Sequence, residues 1–190
     1  WQVSSYMGKN GTEESFLNMH GKSPKLLHLA THGFYYTPNR AENVDYLKGY
    51  TDAMSLSGLV LSGGNAAWLG KPLPKGVLGG ILSANDIARL DLSNTDMVVL
   101  SACQTGQGKA TSEGLYGLQR AFKKAGVGTI VMSLWSVSDK TTSEFMTIFY
   151  ERLADKNNAW NKRKAFEEAK EIIRKKHPDP FHWAAFVMLD

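Results

Sequence analysis

Four short apolar runs, each bounded by turn or polar residues, set the strictest limit on how this chain can fold. They are rich in branched side chains and lie at residues 25–31, 97–102, 128–135 and 184–189. Runs of this length and composition predict β-strands. None of them alternates between apolar and polar side chains, and that continuity is typical of strands buried on both faces of a parallel sheet.

Helical patterns fall between the four runs. Thr12 is placed to cap a short helix, and Ser83 and Asp86 have the spacing of a capping box. Apolar residues recur at helical spacing in two further segments, 115–125 and 145–153. Strands that alternate with helices predict βαβ units, so we expect a three-layer α/β/α sandwich with a mostly parallel central sheet.

Other segments carry weaker signals. Two more strands are expected at residues 2–6 and 58–61, where they would extend the same sheet. Two long stretches, residues 33–57 and 63–80, are expected to lack regular structure because they are polar or rich in glycine. Loops of such length in a compact domain are usually functional lids or disordered segments.

Length and composition are those of an ordinary globular domain. The chain has 190 residues, of which 43% are hydrophobic and 21% charged, so we expect a single domain over residues 1–190. This composition excludes disordered, collagen-like and coiled-coil chains. The longest nearly apolar run, residues 129–137, is far shorter than the roughly 20 residues of a membrane-spanning helix. The chain starts at Trp1 with neither Met nor a signal-peptide pattern, so we expect it to be part of a longer protein that continues on its amino-terminal side.

The positive charge does not favour nucleic acid as a partner. The net charge is +4, from 22 basic and 18 acidic residues. Many of the basic residues lie in segment 162–176, which has the pattern of an amphipathic helix and also carries Glu167, Glu168 and Glu171. Such a face is typical of solvated salt bridges, so we expect neither nucleic acid nor a membrane as a partner.

The lone cysteine and one histidine follow two of the predicted strands. Cys103 comes directly after the run at 97–102, and His32 after the run at 25–31. Ligand sites form where parallel strands end, so a thiol and an imidazole would meet at one sheet edge if these strands are neighbours. A single cysteine also excludes an internal disulfide and a CxxC metal site, and we expect neither metal nor cofactor.

A thiol beside an imidazole has the chemistry of a nucleophile and its base. A thiol with a pKa of about 8.5 is mostly un-ionised at neutral pH, so an imidazole helps as base or as ion-pair partner. The same imidazole can later protonate a leaving amine. The backbone N–H groups of Gly33 and Cys103 would face a developing oxyanion. On position alone, it is equally open that Cys103 is a small buried residue and His32 a hydrogen-bonded loop residue.

Five motifs in a fixed order carry a resemblance to a known family. They are LLHLATHGF (26–34), VVLSACQTG (98–106), EGLYGLQRAFKKAG (113–126), SLWSVSD (133–139) and WAAFVML (183–189). Together they resemble the CHAT domain, a caspase-like module associated with tetratricopeptide repeats. That domain belongs to the clan of cysteine peptidases that includes caspases and separase. The resemblance covers residues 26–189, nearly the whole chain.

The resemblance implies a cysteine endopeptidase that works with a Cys–His dyad. His32 corresponds to the catalytic histidine of the family, Cys103 to its nucleophile, and Gly33 to the glycine whose amide helps to form the oxyanion hole. The implied partners are a protein or peptide substrate and tetratricopeptide repeats upstream in the full-length protein. Those repeats, or a bound partner, would regulate the activity.

The motif at 133–139 resembles the strand and loop that line the pocket for the residue before the scissile bond. Separases carry a similar tryptophan–valine–aspartate pattern, and by that analogy Asp139 would select a basic side chain and Trp135 would line the pocket. Two alternatives stay open: Asp139 or Ser138 caps the following helix, and Trp135 packs in the core. The motif departs from many members of the family, which carry a proline and a further aspartate where this chain has Ser136 and Ser138.

Two more residues near these motifs have open roles. Glu113 follows the nucleophile closely and would contact substrate or favour the first turn of a helix. His28, inside the first predicted strand, is expected to be a hydrogen-bonded core histidine.

Other functions remain open beside the peptidase. One is a catalytically silent caspase-like module for scaffolding or interaction, and another is a thiol esterase or acyltransferase. The low cysteine content is consistent with a reducing cytoplasm, which is the expected location.

Overall fold

The computed structural model describes residues 1–36, 47–49, 51–73, 78–101 and 112–190, and of residues 112–115 it describes the helical backbone. The strands in these ranges are β1 (Leu26–Leu29), β2 (His32–Tyr35), β3 (Ser57–Val60), β4 (Ile81–Ser83), β5 (Met97–Leu100), β6 (Thr129–Ser133) and β7 (Phe186–Leu189). The α-helices are α1 (Glu13–Leu17), α2 (Gly64–Trp68), α3 (Ala84–Ala88), α4 (Ser112–Lys124), α5 (Asp139–Ala154), α6 (Lys162–Lys176) and α7 (Pro180–Trp183). None of the helices in the described ranges is long and apolar enough to cross a lipid bilayer.

The central sheet has the strand order β1-β5-β6-β7. β1 and β5 pair in parallel, with Leu26 opposite Met97 and Leu29 opposite Leu100. Every residue of β5 is buried, as its continuous apolar sequence predicts. The predicted fold class is confirmed: the chain is a mixed α/β protein with a mostly parallel central sheet and helices between its strands.

A second sheet, which the sequence patterns do not predict, follows β1 along the chain. Its strands β2, β3 and β4 pair antiparallel in that order. The strand expected at residues 58–61 therefore exists, but it is the middle strand of this second sheet instead of part of the central one. Gly58 permits the close pairing, because a Cβ atom there would collide with the carbonyl oxygen of Leu82 and with the ring of Phe34.

Two further expectations about regular structure are wrong. Residues 2–6 form no strand. The stretches 33–57 and 63–80, expected to be irregular, contain most of β2 and all of α2 in their described parts. Short strands of four residues bounded by glycine and polar residues give too weak a periodic signal to be found from sequence.

The two helix starts predicted from capping residues are confirmed. The Thr12 side chain accepts a hydrogen bond from the N–H of Ser15 and caps α1. Ser83 and Asp86 form a complete capping box at the start of α3. Gly126, with φ +97°, follows the end of α4, a backbone conformation that favours glycine and terminates helices.

The described chain divides into two compact units, Trp1–Ile130 and Val131–Asp190. β6 begins in the first unit and ends in the second. The first unit contains β1–β5 and α1–α4, and the second contains α5–α7 and β7. That residues 1–190 form a single domain stays a prediction.

The second unit is built around stacked phenylalanines. The ring of Phe145 on α5 is nearly parallel to that of Phe186 on β7, with 4.0 Å between centroids and 5° between planes. Phe166 on α6 meets Phe145 edge-on, with 5.5 Å between centroids. All three side chains are buried. The helical spacing read in segment 145–153 therefore marks a core-facing stripe.

The polar face of α6 carries ion pairs, as its interleaved charges predict. Arg174 and Lys175 pair with Glu171 on the same helix, and Lys176 pairs with Glu144 on α5. Exposed pairs of this kind contribute about 0–1 kcal/mol each. The stability of the second unit therefore comes mainly from its aromatic core.

We predict that Phe145→Ala lowers the free energy of unfolding by about 3–5 kcal/mol, because it empties the centre of the aromatic cluster. Urea unfolding followed by circular dichroism measures this change. Phe181→Ala is the matched control, since Phe181 lies in the same unit but is 51% exposed; it should cost about 1 kcal/mol or less. Equal losses in the two variants would contradict the assignment of the core.

Candidate active site

The carboxyl ends of β1 and β5 lie side by side. Leu29, the last residue of β1, accepts a hydrogen bond at its carbonyl oxygen from the N–H of Ser101, with 3.0 Å between the atoms. Ser101 is the first residue after β5, so the parallel ladder continues past the end of that strand. From the sequence, the segments before His32 and Cys103 are expected to meet only if their strands are neighbours. β1 and β5 are neighbouring parallel strands, so this condition is met.

His32 lies where the chain leaves the central sheet. It begins β2, three residues after Leu29, and it is paired with Val60 of β3. The hydroxyl of Thr31 donates to the carbonyl oxygen of the same Val60, which fixes the turn between β1 and β2. His32 is exposed. Its imidazole is therefore held at the carboxyl end of β1 on the edge of a second, independently paired sheet.

The backbone of Gly33 presents its N–H away from β3. In an antiparallel pair, residues alternate between those that exchange hydrogen bonds with the partner strand and those that face outward. The N–H of Tyr36 donates to the carbonyl oxygen of Leu56 at 2.9 Å, in the register that pairs Gly33 with Leu59. Even-numbered residues of β2 thus bond to β3, and the N–H of Gly33 points to the opposite edge. The N–H of Gly33 is therefore not directed at the partner strand.

His28 makes a contact that the sequence does not predict. Its Nε2 atom lies 2.7 Å from the hydroxyl oxygen of Ser101. The expectation that His28 is hydrogen-bonded is confirmed, but it is not a core residue, since it keeps an exposed surface. Desolvation of the ring by the surrounding protein atoms still lowers the pKa of His28 below its usual value. The imidazole is therefore neutral at neutral pH.

Two predicted site residues cannot be placed. Cys103 lies outside the described residues, two positions beyond Ser101 in the sequence. Glu113 belongs to the first turn of α4, and its side chain also lies outside the described part of the chain. Their proposed roles stay predictions.

Trp135 follows β6 in the second unit and is anchored by its indole. The Nε1–H group donates to the carbonyl oxygen of Phe181 at 2.9 Å. The two rings are tilted against each other, with 6.2 Å between their centroids. Trp135 is half-buried and Phe181 is exposed, so the pair lies at the surface and not in the aromatic core.

The start of α5 settles which residue caps that helix. Ser138 is the N-cap, and its side-chain oxygen accepts a hydrogen bond from the N–H of Thr141 at 3.2 Å. Asp139 is the first helical residue and is exposed. Its carboxylate stands in the first turn, where it complements the positive end of the helix dipole. Because Ser138 fills the capping position, the carboxylate of Asp139 is not used for capping.

These positions follow the order of a known family along almost the whole chain. The sequence model of the CHAT domain matches residues 2–190. The chain belongs to the CHAT domain family. This family is part of the caspase-like peptidase clan, and the resemblance seen in the five sequence motifs is thereby confirmed.

Two curated relatives of this CHAT domain are tetratricopeptide repeat proteins. Tetratricopeptide repeat protein 28 of mouse (Mus musculus) is 32% identical over 111 residues, and so is that of human (Homo sapiens). The alignment covers 57% of this chain and 4% of each relative. The chain thus spans a small part of the length of these relatives. The expected association of this domain type with tetratricopeptide repeats is supported by both.

The predicted site residues of the CHAT domain fall into three groups. His32 and Gly33 are neighbours on β2 in the first unit, and Trp135 and Asp139 belong to the second unit. Cys103 and the side chain of Glu113 form the third group, outside the described residues. In the described residues, the exposed imidazole of His32 is followed directly by the buried Gly33, whose N–H is directed away from β3.

We predict that Ser138→Ala lowers the stability of the domain by about 1 kcal/mol, because the N–H of Thr141 loses its cap. Ser138→Asp should keep most of that stability, since aspartate is an equally good N-cap. Asp139→Asn should have a smaller effect than Ser138→Ala. Thermal unfolding of the three variants measures these changes, and a larger loss in Asp139→Asn would assign the cap to Asp139.

Proposed function

We propose that this CHAT domain is a cysteine endopeptidase that cleaves protein substrates with Cys103 as nucleophile and His32 as base. The observation that carries the proposal is the parallel pairing of β1 with β5. Paired residues of these strands differ by 71 in number, as Leu26 and Met97 do. His32 and Cys103 differ by the same 71. Each of them follows the end of its strand by three residues in the sequence, and the two strands end side by side.

The chemistry follows from the two groups. His32 takes the proton of the Cys103 thiol, and the sulfur attacks the carbonyl carbon of the scissile peptide bond. The imidazolium then gives its proton to the departing amine nitrogen as the C–N bond breaks, which leaves a thioester on Cys103. Water attacks that thioester with His32 as base, and the carboxylate product and the thiol are released. One water is consumed for each peptide bond cleaved, and no oxidant or reductant is needed.

The N–H of Gly33 supports this mechanism as an oxyanion donor. It follows His32 directly, and the alternation of β2 directs it away from β3. A donor fixed in a strand needs no reorganisation when negative charge develops on the carbonyl oxygen, so it stabilises the transition state more than the substrate. The N–H of Cys103 is the proposed second donor.

Substrate preference is proposed to lie with Asp139, Trp135 and Glu113. The carboxylate of Asp139 is exposed, and Ser138 already caps the helix. It is therefore available to pair with a basic side chain in front of the scissile bond, arginine best of all because of its planar fork of donors. Trp135, held by Phe181, would supply an apolar wall, and Glu113 would contact the substrate.

Regulation is proposed to come from tetratricopeptide repeats in the same full-length protein. The support is that both curated relatives are named as tetratricopeptide repeat proteins and are far longer than this chain. Repeat arrays present extended binding surfaces, and a partner bound there can change the activity of a domain joined to them.

We predict that an arginyl chloromethyl ketone forms one covalent adduct, on Cys103, because the dyad ionises the thiol at neutral pH. Intact mass spectrometry with peptide mapping measures the adduct. His32→Ala should slow its formation by about 100-fold or more. His20→Ala is the matched control, since His20 is exposed and its ring contacts Asp91 instead.

Three results would contradict the proposed peptidase. A folded protein whose Cys103 reacts equally fast with and without His32 would contradict the dyad, and the silent scaffolding module would then be the better account. Preferential hydrolysis of small thioesters over peptides would favour an esterase or acyltransferase. Cleavage of a validated protein substrate by the Cys103→Ala variant would contradict the assignment of Cys103 as the nucleophile.

We predict that Asp139→Asn lowers the ratio of arginyl to leucyl probe reactivity by roughly tenfold or more, because a charge-assisted hydrogen bond is lost. The ratio comes from second-order inactivation rates of both probes. Glu151→Gln removes an acid from the same helix and should leave the ratio unchanged. An unchanged ratio in Asp139→Asn would remove Asp139 from the pocket.

A further inference from the structure

The two strands that lead toward the proposed dyad contain one polar side chain between them. β1 has the sequence LLHL and β5 has the sequence MVVL, so His28 alone interrupts eight otherwise apolar positions. Its Nε2 atom contacts the hydroxyl of Ser101, the residue after β5, at 2.7 Å. His28 is exposed and Ser101 is partly buried, so this hydrogen bond lies at the surface of the sheet.

The strand register brings this pair together on one face of the sheet. His28 is opposite Val99, and Ser101 lies two residues further along, so both side chains project from the same face. The N–H of Ser101 also bonds to the carbonyl oxygen of Leu29. Ser101 therefore links the end of β5 to β1 through both its backbone N–H and its hydroxyl.

The same pair stands next to both members of the proposed dyad in the sequence. Ser101 precedes Cys103 by two residues, and His28 precedes His32 by four. We infer that the His28–Ser101 hydrogen bond is a clasp that sets the position of the Cys103 segment relative to His32, with His28 and Ser101 acting as positioning residues. This inference rests on the proposed function.

The electrostatics of the contact suit a positioning role. Because desolvation favours the neutral ring, His28 carries one donor and one acceptor nitrogen at neutral pH. A hydroxyl also has both capacities, so the pair can be satisfied in either tautomer. A neutral His28 adds no second positive charge beside a dyad whose own imidazole must gain and lose a proton.

The opposite ends of the same strands provide a matched comparison. There the hydroxyl of Thr95, just before β5, donates to the carbonyl oxygen of Pro24, just before β1, at 2.8 Å. Both contacts join β1 and β5 through one hydroxyl. If the two contacts only stabilise the sheet, loss of either one should leave the reactivity of Cys103 equally unaffected. If the Ser101 contact positions Cys103, its loss alone should change that reactivity.

The test is the pH dependence of alkylation of Cys103, the single cysteine, by iodoacetamide in the full chain. In Ser101→Ala we expect the rate at pH 7 to fall roughly fivefold to tenfold, as the loss of one hydrogen bond allows, with a raised apparent thiol pKa. Ser101→Thr keeps the hydroxyl and should restore most of the rate. Thr95→Val should lower the melting temperature by at least as much as Ser101→Ala while its alkylation profile stays within about twofold of the wild type.

A second variant approaches the clasp from its other side. His28→Phe keeps a ring suited to a strand and removes the nitrogen. If the two residues act as one unit, the double variant should react no more slowly than either single variant. A profile for Ser101→Ala that overlays the wild type, or one matched by Thr95→Val, would overturn the inference.

The same measurement keeps this inference separate from the proposed function. The dyad is tested by His32→Ala, which should flatten the pH profile. If His32→Ala changes nothing, the proposed peptidase fails, yet the comparison of Ser101→Ala with Thr95→Val still reports whether the clasp positions Cys103.

Discussion

The parallel pairing of β1 with β5 is the interaction on which the rest of the structure depends. Every residue of β5 is buried, and the residues of β1 pair with those of β5 in a single register. The register fixes which residues stand opposite each other at the carboxyl ends of the strands. Long connections between the strands leave that correspondence unchanged, because loop length adds little to the cost of closure.

The exit of the chain from β1 matters as much as the pairing. Ala30 and Thr31 separate the end of β1 from His32. The carbonyl oxygen of Val60 on β3 accepts a hydrogen bond from the hydroxyl of Thr31, and Val60 is also the pairing partner of His32. The imidazole is therefore carried on regular, paired backbone instead of on a loose loop. In the proposed mechanism, glycine at position 33 lets the carbonyl oxygen of the substrate approach the N–H closely, because no side chain stands in the way.

The sequence predicts the fold where its signals are long or chemically specific. The continuous apolar run of β5, the cap at Thr12 and the capping box at Ser83 all appear as expected. The second sheet is missed because its strands have three or four residues and its pairing depends on long-range contacts such as that of Gly58 with Leu82. His28 is misjudged for a related reason. Its leucine neighbours suggest a core strand, but β1 lies at the edge of the described central sheet, where a polar side chain keeps access to solvent.

The candidate site shows the same division between local and long-range information. Which residue caps α5 is a local question, yet the sequence left Ser138 and Asp139 open because both are good N-caps, and backbone geometry decides for Ser138. That choice has a chemical consequence, because a carboxylate that does not cap the helix is free to serve another partner. The contact between His28 and Ser101 is long-range, but the strand register is enough to find it. Paired residues of β1 and β5 differ by 71, so His28 is opposite Val99. Ser101 comes two residues after Val99 and therefore shares its face of the sheet. Once two parallel strands are known to be neighbours, polar residues that differ by the offset plus two become candidates for such contacts.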